Sequence, residues 1–555
     1  MPFVEEIFAR LRENSNTVVL EEIRDGKITG VTGGELLELI GRARSFLASK
    51  NLKNFDRCGL LAANSIRWIA MDFAAMAEGL IVVPLYSRQA PAELAAMMKD
   101  STPSLICCGD AALRDGILQA WPGAPPHFLF DEIFAGEGKP ANNIDPQLRA
   151  EDAVTIIYTS GTSGEAKGVV LSAANVSFML GCTAARLDQL MGGRSLPNQS
   201  GQDRIFHYLP FSFCASWIAV STFLLRGSRI TLNTDLTKIP NEMPAVAPHY
   251  FLNVPQLLER MRRGVDEQIA KKGGIGQAIY SRAKEAWARK QENKSQPTDA
   301  LWLSVAGAIV FPTIRKKMVG GNLKALICGS APLTPETQDY FSMLGIRVLQ
   351  VYGLTETTGI LTMDDPANPA PGRVGPAIPG IEMRIGDGEE IVVRGPNIFP
   401  GYWNRPQQTA EVMRDGWFHT GDQGEMDASG NWRIVGRIKN LIVLSSGHKI
   451  SPEVMEDEIA RYLPPGQQVV VVGNGRGYLC AIVAGNASSN QVQAALDAVN
   501  PQLPHYKQVR VFCLRADAFS IENGMLTANG KLKRDLISAR LKNEIEDMYR
   551  VKQAV

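Results

Sequence analysis

Apolar runs and polar punctuation divide the chain into alternating strands and helices. Thr32 stands three residues before Glu35, as in a capping box. Leu36, Leu39, Ile40, Ala43, Phe46 and Leu47 then follow at helical spacing, which predicts a packed helix. Beyond it, CGLLA at 58–62 and LIVVPLY at 80–86 are short continuous apolar runs, and SIRWIAMDFAAMAEG at 65–79 lies between them. Strand, helix and strand in that order form a crossover between parallel neighbours. SLICCG at 104–109 adds another short buried strand, and DRIFHYLPFSFCASWIAVSTFLLRGSRI at 203–230 and FLNVPQLLERM at 251–261 continue the alternation. In the last fifth, QQVVVVG, YLCAIVAG and VRVFCL alternate with helical stretches such as NQVQAALDAVN, and 532–555 is amphipathic at helical spacing. The pattern predicts an α/β protein: a large N-terminal domain of mixed, mainly parallel sheets flanked by helices, and a small α+β domain at the C-terminus. The division is placed between 438 and 439, giving domains 1–438 and 439–555.

A chain of 555 residues exceeds the size at which one core keeps growing, so more than one domain is expected on length as well. The formal net charge is +1, so no global field recruits nucleic acid, which is not expected as a partner. Cysteines 58, 107, 108, 182, 214, 328, 480 and 513 lack the paired spacings of a zinc site and read as reduced core residues. The start, MPFVEEIFARLRENS, has no apolar signal core, and the most apolar long region, 59–85, contains Asn64, Arg67, Asp72 and Glu78. Those groups are costly in lipid, so the expectation is a cytoplasmic protein without a spanning helix.

Chemistry first surfaces at 155–168, TIIYTSGTSGEAKG, where a strand-like run breaks into glycines and hydroxyls and ends on a lysine. Gly161 and Gly164 let backbone amides approach an anion, Thr159, Ser160, Thr162 and Ser163 add hydroxyl donors, and Lys167 adds charge. Together they compose a phosphate cradle. A Walker loop is excluded because Lys167 lies between Ala166 and Gly168. The nearest imitation of a dinucleotide-binding motif, Gly473-Asn-Gly475-Arg-Gly477, has the wrong spacing and reads as a hairpin turn.

TSGTSGEAKG resembles the phosphate loop of the adenylate-forming superfamily of acyl-CoA synthetases, luciferases and peptide-synthetase adenylation domains. Further stretches follow in the family's order: GSAPL at 329–333, VYGLTETTG at 351–359, WFHTGD at 417–422, GRIKNLIVLSSGHKISP at 436–452 and NGKLKR at 529–534. The likeness spans nearly the whole chain and is strongest to long-chain fatty acyl-CoA synthetases, whose long helical insert is matched by 264–320. It implies ATP, magnesium and coenzyme A, with a medium- to long-chain fatty acid as the carboxylate substrate. An acyl-carrier protein is the alternative acceptor, and a catalytically silent acyl or nucleotide binder is the alternative of another class.

The resemblance also assigns residues. Lys531 matches the catalytic lysine, whose ammonium bridges the carboxylate and the α-phosphate. Thr355 and Glu356 serve phosphate and magnesium, Glu356 being the metal ligand. Gly329, Ser330 and Ala331 form the adenine wall, Tyr352 with Gly353 stacks on the base, and Asp422 accepts from the ribose hydroxyls while Arg437 donates to ribose or phosphate. Gly447, His448 and Lys449 resemble the thiol channel, and Lys439 stands at the hinge of a mobile lid. Relatives commonly carry histidine where this chain has Ala173 and Phe213, so the acyl pocket, assigned to Phe211, Phe213 and Trp217, departs from the pattern; plain core is the competing reading for those aromatics. Finally, Arg282, Lys284, Arg289 and Lys290 lie beside an apolar helical stripe, Ile279, Ala283, Ala286 and Trp287. That helix offers peripheral contact with the inner membrane face, against the plainer reading of a solvated face over a packed stripe.

Overall fold

The computed structural model describes residues 2–136, 149–160, 166–192, 202–464, 466–527 and 530–550. Helix Gly33–Ala48 begins at the capping box anticipated from Thr32 and Glu35: Glu35 N–H donates to the Thr32 hydroxyl at 3.2 Å, and Thr32 N–H donates to the Glu35 carboxylate at 2.7 Å. The crossover also forms as its apolar runs dictate, with strand Arg57–Leu61, helix Ile66–Ala77 and strand Ile81–Leu85, the strands paired in parallel. Leu105–Cys108 pairs on the other side of Arg57–Leu61.

These strands belong to a seven-stranded sheet. The antiparallel hairpin Ala153–Ser160 and Ala166–Ser172 extends it on one side, and the two-residue strand Gly401–Tyr402 closes that edge. A second sheet of eight strands has Arg204–His207, Tyr250–Asn253, Ala325–Cys328 and Arg347–Tyr352 as a parallel run. Helices pack between the two sheets: Phe3, Leu36, Trp68, Val176 and Ile218 share one core with Leu60 and Val82 of the first sheet and Ile230 and Leu232 of the second. Each such side chain contributes about 2 kcal/mol on leaving water. Outside, Leu94, Met98 and Ile117 cover the first sheet, while Leu258, Ala283 and Phe341 cover the second. A third, antiparallel sheet contains Glu390–Arg394, Trp417–Met426 and Trp432–Arg437.

After the single 3-10 turn Ile438–Asn440 comes a ribbon of Ile442–Val443 and Lys449–Ile450, then a three-stranded sheet of Gln468–Val472, Leu479–Ala484 and Val509–Arg515. The first two are antiparallel, so the glycines at 473–477 lie in a hairpin connection. Alternation along the first strand explains its unbroken apolar sequence. Val469 and Val471 pack with Ile459 and Leu496, whereas Val470 and Val472 face Ile537, Leu541 and Met548. The amphipathic C-terminal stretch forms helices Arg534–Arg540 and Lys542–Arg550, which cover that second face. All eight cysteines are free thiols. Among the described residues, no helix is long and apolar enough to cross a membrane.

Candidate active site

Parallel strands end together, and the loops beyond their carboxyl ends form a natural crevice. Strand Ala325–Cys328 delivers Gly329, Ser330 and Ala331; its neighbour Arg347–Tyr352 delivers Tyr352 and Gly353. A side chain at Gly329 would meet Val351 at 2.6 Å, and one at Gly353 would meet the Gly359 carbonyl at 2.4 Å, so only glycine lets the backbone close up there. Ser330 holds a left-handed φ of 74°, an uncommon conformation for a serine.

Asp422 sits opposite Arg437 across strands Trp417–Met426 and Trp432–Arg437. Arg437 Nε pairs with Asp422 Oδ1 at 2.6 Å, and the Tyr352 hydroxyl donates to Asp422 Oδ2 at 2.6 Å. Burial, reinforced by the Asp422 charge, pushes the Tyr352 phenol well above its ordinary range, so it remains a donor. For Arg437, burial opposes the cation, but the carboxylates of Asp422 and Glu356 help hold the charge.

Thr355, Glu356 and Thr357 form a 3-10 turn directly after Tyr352–Leu354. Asn397 clamps it: its amide donates to Thr357 O at 3.0 Å, and the Thr358 hydroxyl donates to Asn397 O at 2.7 Å. Farther along the same segment the Tyr402 hydroxyl donates to Glu356 Oε1 at 2.8 Å. Strand Gly401–Tyr402 pairs with Val169 and Val170 of the hairpin that carries Lys167, and the Lys167 ammonium lies 4.9 Å from the Tyr402 ring centre. Thr159 faces Lys167 across that hairpin, while Gly161, Thr162, Ser163 and Gly164 lie outside the described residues; Ser160 continues the strand opposite Ala166. The Glu356 carboxylate has one oxygen engaged by Tyr402, which leaves the other to offer a cation. Among the described residues no cluster of three His, Cys, Asp or Glu side chains could hold a metal. A single carboxylate suits magnesium that takes its other ligands from phosphate and water, so the donor set fits that ion.

Lys531 comes from the small domain. Its backbone is tied to Thr527, whose N–H donates to Lys531 O at 2.8 Å while Lys531 N–H donates to the Thr527 hydroxyl at 3.1 Å. The residue as a whole is exposed, yet its ammonium is crowded by protein. Burial and then Arg437 hold it below the ordinary lysine range, while Asp422 and Glu356 pull the other way. Lys531 therefore shares one electrostatic neighbourhood with Asp422, Arg437 and Glu356. Among the described residues two ion pairs between the large and small domains accompany this pose, Lys533 to Glu93 at 3.3 Å and Arg461 to Glu336 at 3.4 Å, and the Ser451 hydroxyl donates to Val435 O at 3.1 Å beside the interdomain turn. Arg534 forks onto Glu456 and reaches Glu453, tying the Lys531 loop to helix Pro452–Arg461.

The other expected residues lie on the small domain, in the interdomain turn and around Phe211–Trp217. Gly447, His448 and Lys449 are exposed in the turn of the ribbon, with the His448 ring stacked 4.0 Å from that of Tyr506. Lys439 is in the interdomain turn, and its ammonium feels Arg437, Asp422, Lys167 and Glu356; burial and then Arg437 lower its affinity for a proton. Phe211 and Trp217 are fully buried. Phe211 stacks on His207, and Trp217 Nε1 donates to the enclosed Asp72 at 2.8 Å. Only Phe213 of the three aromatics is half-buried, beside Tyr86 at 5.5 Å. Tyr402 had no signal in the sequence reading, because a two-residue edge strand leaves no periodicity; its place follows from pairing with the Lys167 hairpin.

The α/β crevice is thus bordered by the Lys167 hairpin, an Asp422–Arg437–Tyr352 cluster and the lysine-bearing loop of the small domain. Residues 8–403 match the AMP-binding enzyme family and residues 439–553 match the AMP-binding enzyme C-terminal domain. The chain belongs to this family of adenylate-forming enzymes. It is 27% identical to the long-chain-fatty-acid–CoA ligase FadD15 of Mycobacterium bovis, over 98% of this chain and 96% of the relative. It is 25% identical to long chain acyl-CoA synthetase 3 of Arabidopsis thaliana, over 96% and 88% respectively. Among solved structures, the A domain of carboxylic acid reductase from Segniliparus rugosus superposes with a TM-score of 0.77 at 22% identity, over 99% of this chain and 94% of that one. The fold is thus shared with adenylate-forming enzymes, and the chain is a ligase of the acyl- and aryl-CoA ligase family.

Proposed function

We propose that this protein activates a medium- to long-chain fatty acid with ATP, forming an acyl-adenylate and pyrophosphate, and then transfers the acyl group to the thiol of coenzyme A, releasing AMP. The observation that carries the reading is the Asp422–Arg437–Tyr352 cluster, with Glu356 held by Tyr402, whose charges bear on the Lys531 ammonium. A carboxylate is a poor electrophile until its oxygen becomes part of a good leaving group, and attack on the α-phosphorus supplies that. The step gathers negative charge from two anions, so a lysine held beside both is worth more than one in water. Asp422 has accepting capacity beyond its two present donors and would receive the ribose hydroxyls. Thr159 and Lys167, with the glycines and hydroxyls of 160–164, would hold the β- and γ-phosphates, and Thr355 would add a hydroxyl. Glu356 would hold magnesium, which when bound neutralises phosphate charge. Gly329, Ser330, Ala331, Tyr352 and Gly353 would enclose the adenine.

The fatty character of the acid is supported by the names of the relatives and by the helical insert over 264–320. Pyrophosphate release tested across alkanoic acids of increasing length and a set of aryl acids checks it, with coenzyme A and a carrier-protein phosphopantetheine compared as acceptors. Release driven by medium to long alkanoates and a thioester to free coenzyme A is expected. Turnover confined to aryl acids, or transfer only to the carrier, would overturn the assignment.

A further inference from the structure

Helix Asp299–Ile309 breaks the usual rule of a surface helix. Residues 300–314, ALWLSVAGAIVFPTI, contain no charged side chain, yet the helix lies on the outside. Ala306 is buried and Trp302 and Leu303 half-buried, which accounts for one face. The opposite face consists of Ala300, Leu301, Ser304, Gly307 and Ala308, all exposed and none charged. A helix apolar on every side belongs in a core or in lipid, and this one has a core on one side only. Leu301 is 60% exposed, Ile309 62%, and Ile275, at the start of the preceding helix Gly274–Gln291, 80%. Isolated exposed aliphatics are ordinary, but here they accompany a helix face that lacks polar cover.

The surroundings are basic. Lys271 and Lys272 end helix Pro255–Lys272, and Lys316 and Lys317 lie in the last turn of helix Phe311–Val319; all four are exposed. Lys272 and Lys317, from different helices, come within hydrogen-bonding reach, and that contact, followed by the like charge, lowers the proton affinity of Lys272. A helix C-terminus favours lysine, but that does not explain two such ends brought together when, among the described residues, none of the four lysines is in an ion pair. The basic residues that the sequence offered for membrane contact are mostly engaged internally. Lys284 pairs with Asp266 at 2.9 Å and Arg289 with Asp299 at 2.5 Å, while Arg282 lies over the Trp302 ring and Lys290 over Trp287.

We propose that the face of helix Asp299–Ile309, with Ile275 and the lysines 271, 272, 316 and 317, docks this protein on the surface of an anionic lipid bilayer. Eleven residues cannot span a membrane, so the helix lies in the interface, with its aliphatic side chains among acyl chains and its lysines at the headgroups. A second copy of the chain is a poorer occupant, because it would bring the same positive rim. Exclusion of a polar partner follows from the uncharged face itself.

Flotation of the full-length protein with vesicles tests this, comparing phosphatidylcholine alone with a 70:30 mixture of phosphatidylcholine and phosphatidylglycerol. Binding to the anionic vesicles should be at least about tenfold stronger and weaken with salt. The double substitution Leu301→Glu, Ile309→Glu should abolish it. Lys316→Ala with Lys317→Ala should reduce it by about fivefold per lysine, with circular dichroism unchanged in both variants. Equal partition of native protein and variants, or no preference for the anionic vesicles, would overturn the proposal. So would a concentration-dependent dimer that the leucine–isoleucine variant dissociates without any loss of vesicle binding.

Discussion

Tyr402 donates its hydroxyl to Glu356 Oε1 at 2.8 Å, which links the edge strand of one sheet to the turn that ends a strand of another. Burial and then the Glu356 charge raise the Tyr402 phenol far above its ordinary range, so the hydroxyl keeps its proton and acts only as donor. The contact fixes one carboxylate oxygen and orients the second. Tyr402→Phe keeps the ring beneath Lys167 and deletes only that hydrogen bond. A bond to a charged acceptor contributes roughly 1.5–3 kcal/mol, so adenylation should fall about tenfold and require more magnesium. Glu356→Gln should raise the magnesium requirement as well, and the double variant should lose less than the two singles combined. Magnesium titration of pyrophosphate release reads all three; an unchanged requirement in Tyr402→Phe would show that the tyrosine orients nothing.

Lys531→Ala should reduce adenylation by at least about a hundredfold, the scale of losing one preorganised charge contact. Thioester formation from supplied acyl-adenylate should largely survive, and equal loss of both half-reactions would contradict the role. The direction of the Lys531 shift adds a pH test. Its ammonium gives up its proton more readily than an ordinary lysine, so kcat/KM for adenylation should fall on the alkaline side before an unperturbed lysine would titrate. Lys531→Arg should move that limb upward, whatever its effect on the rate.

Asp72 supplies a stability prediction. It is fully enclosed, its Oδ2 accepts from Trp217, and among the described residues its Oδ1 has no hydrogen-bond partner. Burial pushes its acid to about 7 from an ordinary 3.8. The folded state therefore binds this proton more tightly than the unfolded chain. The associated stability is present in full below about pH 4 and is lost as pH rises through about 7. Asp72→Asn keeps an acceptor for the indole and removes the charge. It should leave the large domain more stable than native above neutrality, by up to about 4 kcal/mol, with the difference vanishing in acid. Thermal unfolding followed at pH 5 and pH 8 measures this, and a difference independent of pH would exclude ionisation of Asp72 as its source.

Local pattern carried the elements whose determinants are contiguous. The capping box at Thr32, the crossover over 57–85 and the hairpin at 473–477 each depend on neighbours in sequence, and each forms as the residues dictate. Contacts that depend on register were not legible. Asp422 and Arg437 read as separate ligands, whereas strand pairing sets them directly opposite one another. Trp217 reads equally as pocket or core until Asp72, remote in sequence, accepts the hydrogen bond of its indole N–H. The basic helix over 274–291 suggested a charged face, but Asp266 and Asp299, which engage two of its cations, lie on neighbouring helices. Its apolar successor was the surface feature that helical periodicity, read without burial, did not single out.

Motion is the remaining requirement of two-step chemistry on one site. In this pose the Lys531 ammonium lies in the field of Asp422, Arg437 and Glu356, while Gly447, His448 and Lys449 are exposed on the small domain. Bringing the second group to an adenylate would require the small domain to turn, breaking Lys533–Glu93 and Arg461–Glu336. Such exposed pairs hold little, about 0–1 kcal/mol each, so they favour the first pose without locking it. Between the domains the 3-10 turn Ile438–Asn440 is the natural place for the dihedral change. Proline at 439 suits the φ of a 3-10 turn but fixes it, so Lys439→Pro should retain most adenylation and strongly slow thioester formation. Because the Lys439 ammonium also lies in the field of Asp422 and Glu356, Lys439→Ala is the control. It removes the same charge and leaves the backbone free, so any small loss of adenylation should be shared with the proline variant while thioester formation stays near native. Single-turnover rates of the two half-reactions distinguish the cases, and a proline variant that keeps both rates would move the hinge away from residue 439.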